Sequence, residues 1–99
     1  MEERKEYFVY MMINADKSAF YVGMTSNIVN RVYEHKRTAK WKLTKWQNCD
    51  VLVYYEEVGF VEEAILRERQ IKALSKAKKE ALVNANNPKW LDLSAGWYS

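Results

Sequence analysis

The sequence predicts an α+β fold, a small three-stranded antiparallel sheet flanked by helices. Two apolar, aromatic runs, "EYFVYMMI" at 6–13 and "FYVGMT" at 20–25, enclose the polar stretch "NADKSA", as in a hairpin with a longer loop. A third such run, "CDVLVYYEEV" at 49–58, ends at Gly59. Segments of helical spacing follow the second and third runs, so the order is ββαβαα, which layers helices against one sheet.

In chain order, "TSNIVNRVYEHKR" is the first helix, with Thr25, Ser26 or Asn27 as its cap and Ile28, Val29, Val32 and Tyr33 as its apolar stripe. "KWKLTKWQN" at 40–48 is a basic, aromatic loop or helix turn. A long helix is expected from about Val61 to Leu74 and another from about Lys76 to Asn84, stopped before Asn87-Pro88. The tail from about residue 88 to 99 carries tryptophans that dock it onto the body of one domain spanning residues 1–99.

Ninety-nine residues, 48% of them hydrophobic and only four of them Gly or Pro, suit one folded domain with a modest core. No apolar stretch is long enough to span a bilayer, and "MEERKEY" lacks an apolar signal core, so a cytoplasmic protein without membrane attachment is expected. The single Cys49 excludes an internal disulfide framework and multi-thiolate zinc clusters. Net charge is +3, but eleven of the sixteen Lys and Arg residues fall in two short segments. Lys36, Arg37, Lys40, Lys42 and Lys45 make the first, and six residues from Arg67 to Lys79 make the second. Such clustering suits a polyanion even when net charge is modest.

Pairing Ile13 with Phe20 places Tyr10 opposite Gly23 and Met12 opposite Tyr21, with both tyrosines on one face. Gly23 then clears room beside Tyr10 and keeps its hydroxyl accessible; the alternative is that both tyrosines fill the core. Arg31 and His35, four residues apart, neighbour each other on one helix face and flank the apolar stripe, where they suit phosphate binding and proton relay. Glu68 falls on the apolar face marked by Val61, Ala64, Ile65 and Ile71. A carboxylate there costs free energy unless it is paired, as with Lys72 one turn on, or holds a metal. One inward carboxylate near Tyr, Arg and His suits a single-magnesium site, and the ligand role is the favoured reading.

"FVY" at 8–10, eleven positions before "YVG" at 21–23, resembles the paired signature of the GIY-YIG endonuclease superfamily. The resemblance continues through "RVYEH", "EEAILRERQIK", "SKAKKEALV" and "NPKWLDLS", from about Tyr7 to Ser94, and is similar to the small stand-alone bacterial members and to the nuclease domain of excinuclease ABC. Phe8 stands at the first glycine of the signature, and Val22 replaces isoleucine. The resemblance implies a nuclease-like fold and an endonuclease that hydrolyses phosphodiester bonds in DNA with one divalent ion, Mg²⁺ or Mn²⁺, directed by structure rather than sequence and serving DNA repair or processing. RNA is the alternative substrate. It implies Glu68 as the metal ligand, Arg31 as the stabiliser of transition-state charge, and a general base among Tyr10, Tyr21 and His35, with Tyr10 favoured. Gly23, Lys36, Arg37, Lys40, Lys42, Lys72 and Asn87 would contact substrate, Asn84 competing with Asn87 for the family's late asparagine. Trp41 and Trp46 would stack on an unpaired base or pack beneath their loop. The competing functions are a non-cleaving nucleic-acid-binding module on the same scaffold, and a partner protein docked through its basic faces.

Overall fold

The computed structural model describes residues 6–39 and 49–98. The elements are β1 (Tyr7–Ile13), β2 (Phe20–Thr25), α1 (Ile28–Ala39), β3 (Val51–Val58), α2 (Val61–Lys72) and α3 (Lys76–Asn86). The three antiparallel strands lie in the order β2-β1-β3, the expected α+β architecture. Among the described residues, no helix is long and apolar enough to cross a membrane.

The hairpin adopts the expected register, Ile13 opposite Phe20, Met12 opposite Tyr21 and Tyr10 opposite Gly23. Its turn is held by Asn14, whose side chain donates to Ser18 Oγ at 2.8 Å and accepts from the Ala19 N–H at 3.0 Å. Alternation along β1 sends Val9, Met11 and Ile13 to one face and Tyr10 and Met12 to the other. The first set packs with Val22, Ala64, Ile71 and Val83, so α2 and α3 cover that face; the second packs with Ile28 and Val32 of α1.

Asn27 caps α1 by accepting from the Asn30 N–H at 3.1 Å. The helix buries Ile28 and Val32 of its expected stripe, but Val29 and Tyr33 stay about half exposed. They are covered from outside by Tyr98, which donates to the Val29 carbonyl at 2.7 Å and packs its ring on Tyr33. Likewise Ala64 and Ile71 of α2 are buried, whereas Ile65 faces solvent.

β3 pairs with β1 through an irregularity, Met11 facing Tyr54 and Met12 facing Leu52, so Val53 is the extra residue of a bulge. The tail docks on this edge of the sheet. Leu93 N–H donates to Leu52 O at 2.8 Å and Trp97 packs against Tyr55 there, while Trp90 packs edge-on against Phe20 of β2. Asp92 organises the crossing: its carboxylate accepts from Leu52 N–H, from the Ser94 N–H and hydroxyl, and from Lys36 Nζ at 2.6 Å. Burial alone would raise the Asp92 pKa, but the hydrogen bonds from Lys36 and Ser94 outweigh it and hold the carboxyl below its usual range.

Candidate active site

Tyr10, Tyr21 and His35 converge on the α1 face of the sheet. The period-two pleat puts the two tyrosines on that face, and His35, seven residues after Ile28 and three after Val32, comes down on them from the buried line of α1. Tyr10 Oη and His35 Nε2 are 3.1 Å apart, and either donates according to which ring nitrogen carries the proton. The Tyr21 ring packs 4.7 Å from the imidazole centroid and 6.0 Å from that of Tyr10. His35 therefore belongs to the core instead of flanking the stripe: it is 0% exposed, and Tyr10 is 1% exposed.

Gly23 makes this cluster possible. A Cβ at that position would lie 2.8 Å from Tyr10 Oη, 2.8 Å from Tyr21 Cε1 and 3.0 Å from Tyr10 Cζ. The expectation that glycine clears room beside Tyr10 holds, with one correction. The room lets the hydroxyl reach His35 and does not expose it.

Burial sets the electrostatics. Desolvation, reinforced by Tyr21, pushes the Tyr10 phenol far above its ordinary range, against a smaller lowering by Arg31. Desolvation lowers His35 from 6.5 to about 4; hydrogen bonding with the Cys49 backbone opposes this and the Arg31 charge adds to it. At neutral pH both groups are uncharged. Burial thus favours the neutral phenol of Tyr10, held in its hydrogen bond with His35. Tyr21 is the partly exposed member of the trio. Arg31, half-buried one turn before His35, is the cation whose field reaches both buried groups. Sequence reasoning missed Glu34, an exposed carboxylate whose charge also acts on Tyr10. Its position three residues after Arg31, on the same helix face, was the available signal.

Glu68 is not part of this contact group. It sits on α2, in line with the buried Ala64 and Ile71 on the opposite face of the sheet. Its side chain is 22% exposed, and its ionic contact is Lys72 Nζ at 3.9 Å, the weak pair anticipated one turn on. α2 lies over β1 and β2, and β2 is an edge strand of the sheet. Among the described residues, no three His, Cys, Asp or Glu side chains group as metal ligands. One weakly paired, half-buried carboxylate fits a hard cation that completes its shell with water and phosphate oxygens, as magnesium does.

Three residues expected at the substrate have other work. Asn87 is buried and fully engaged: its amide donates to Val53 O at 3.1 Å and to Leu91 O at 2.9 Å, and its oxygen accepts from Leu91 N–H at 3.1 Å. It pins the bulge of β3 to the tail. Asn84 accepts from Trp90 Nε1 at 2.6 Å, again a tail contact. Lys36 is tied to Asp50 O and Asp92 instead of offering its ammonium to a ligand. Arg37 and Lys72 are exposed, and Lys40, Lys42, Trp41 and Trp46 lie outside the described residues.

Residues 6–81 match the GIY-YIG catalytic domain. The chain belongs to the GIY-YIG family. A UPF0213 protein of Natronomonas pharaonis is 38% identical over 78 residues, spanning 79% of this chain and 91% of its own. One from Desulfotalea psychrophila is 39% identical over 85 residues, 85% of this chain and 76% of its own. The solution NMR structure of a UPF0213 protein from Bacillus halodurans aligns with a TM-score of 0.57 at 26% identity, over 92% of this chain and 97% of that one. The tyrosines of the GIY-YIG signature are thus the two that meet His35, and membership implies a nuclease and a nucleic-acid substrate.

Proposed function

We propose that this GIY-YIG protein is a divalent-metal-dependent endonuclease that hydrolyses phosphodiester bonds, with DNA as its substrate. The observation that carries the reading is the Tyr10–His35–Tyr21 cluster, opened by Gly23 and overlooked by Arg31. Maintaining two tyrosines and a neutral histidine in mutual contact under an arginine is expensive for a fold that needed only apolar filling.

The scissile phosphate lies at the β2 edge, with Tyr21 and Arg31 reaching it from the α1 face and Glu68 from the α2 face. Tyr21, the phenol with access to solvent, takes the proton of the attacking water at its Oη as it gives up its own hydroxyl proton to bulk water, and the phosphorus–oxygen bond to the leaving group breaks. Tyr10 and His35, both uncharged, hold the Tyr21 ring in place and satisfy each other's polar atoms. Arg31 neutralises charge that builds on the non-bridging phosphate oxygens in the transition state. Glu68 would hold the metal, which when bound supplies Lewis-acid activation of a phosphate oxygen.

The test is cleavage of plasmid, branched, flap and single-stranded DNA, and of RNA, with Mg²⁺, with Mn²⁺ and with chelator, alongside Glu68→Ala. Metal-dependent cutting that the variant loses supports the reading. Binding without cutting under every condition replaces it with a nucleic-acid-binding module on the same scaffold.

A further inference from the structure

We propose that the corner where α2 meets α3 is a phosphate-binding face that grips the nucleic-acid backbone beside the bond being cut; this rests on the nucleic-acid reading above. Arg69 and Lys72 end α2, and Lys76, Lys78 and Lys79 open α3. Among the described residues, the one ion pair made by these five is the 3.9 Å contact of Lys72 with Glu68. Arg67, by contrast, is ion-paired with Glu56 and does not belong to the face.

The placement of these charges is not explained by helix stability. α2 obeys the helix dipole, with Glu62 and Glu63 in its first turn and Arg69 and Lys72 in its last. α3 violates it: the first turn holds no acid and three lysines, at the end of the helix where positive charge is unfavourable. Ser75 already caps that turn by accepting from the Lys78 N–H at 3.2 Å, so the argument concerns the ammonium groups and not the helix end. In the neighbouring hairpin turn, Asp16 lies within the field of Lys76, while Lys17 sets its ammonium 5.0 Å from the Trp90 ring centroid.

A polyphosphate strand fits this face better than other anionic partners. Of the residues from Ala73 to Ala77 that lie between the lysines, Ala73, Ser75 and Ala77 are small and exposed and Leu74 is packed against the core, which leaves no freely exposed large apolar anchor for a peptide or a lipid interface. Lys72 stands one turn, about 6 Å, beyond Glu68, comparable to the spacing of neighbouring phosphates along one strand. A backbone whose scissile phosphate lies near Glu68 therefore runs onto the corner.

The experiment is a salt titration of binding, in chelator so that nothing is cut. The full chain and a Lys76→Ala, Lys78→Ala, Lys79→Ala variant are compared on a short fluorescein-labelled DNA strand, its duplex and the matching RNA strand. Each lost phosphate contact flattens log K against log salt by about 0.9 on duplex and about 0.7 on single strands. The expected loss is about two to three units of slope on duplex, with a melting temperature unchanged or raised because the dipole conflict is gone. An unchanged slope overturns the proposal. So does a variant whose weakened binding is confined to vesicles of phosphatidylserine and phosphatidylcholine. If the slope falls but no nucleic acid is ever cut, the nuclease reading fails while this one stands; metal-dependent cutting with an unchanged slope gives the reverse.

Discussion

Replacing Gly23 with alanine is expected to destabilise the fold and to disable the site by overpacking. The new methyl carbon would meet Tyr10 Oη and Tyr21 Cε1 at 2.8 Å and Tyr10 Cζ at 3.0 Å. Non-bonded carbon atoms prefer about 3.5–4.0 Å, so the rings must retreat by about half an ångström or more. Tyr10 has nowhere to go, because it is buried and bonded to His35. Forcing a methyl into such a core costs about 1–3 kcal/mol, and the entropy gained by replacing glycine in extended backbone returns only about 0.5–1. A net loss of about 1–2 kcal/mol follows, read as a lower urea midpoint or, at about 4–8 °C per kcal/mol, a lower melting temperature. Adding Tyr10→Phe removes one of the 2.8 Å contacts, so the double variant should lose less than the sum of the single losses. An alanine variant as stable as the parent, with additive losses in the double variant, would refute the reasoning.

Other consequences are equally direct. His35 has a folded pKa of about 4 against an ordinary 6.5, so between those values the unfolded chain binds more protons. Its contribution is complete above about pH 6.5 and is lost as pH falls, by about 3 kcal/mol across the window, and a His35→Gln variant should flatten the urea-unfolding profile there. The lowered Asp92 carboxyl acts with the same sign at still lower pH. Asn87→Ala should cost about 2–3 kcal/mol, since it removes three hydrogen bonds and strands the Val53 carbonyl, and hydrogen exchange should show the tail released from β3.

The hairpin was legible because one loop length and one glycine agree on a register: only the pairing of Tyr10 with Gly23 fits both the turn and the two tyrosines. The helices were legible from caps and spacing, down to Ser75 and the stop before Pro88. What escaped depends on contacts between distant segments. His35 reads as a flanking position on α1 because its neighbours Arg31 and Lys36 are charged, and only the sheet beneath it makes the position apolar. Asn87 reads as a site residue until the β3 bulge, itself a product of pairing with β1, presents Val53 O to it. Lys36 looks like a free cation in a basic run, yet its partner Asp92 lies in the tail. The burial of Tyr10, which decides its phenol acidity, is likewise not written in local sequence.

The measurement that bears most directly on the central claim is single-turnover cleavage by Tyr21→Phe and Tyr10→Phe under metal-saturated conditions, with folding and binding checked in parallel. If Tyr21 takes the proton of the attacking water, its loss slows the chemical step by about 10²-fold or more, the usual size of general-base catalysis, while the variant still binds substrate. Tyr10→Phe, which removes a hydrogen bond to His35, should retain more of the rate. A Tyr21→Phe enzyme that cuts as fast as the parent would contradict the account.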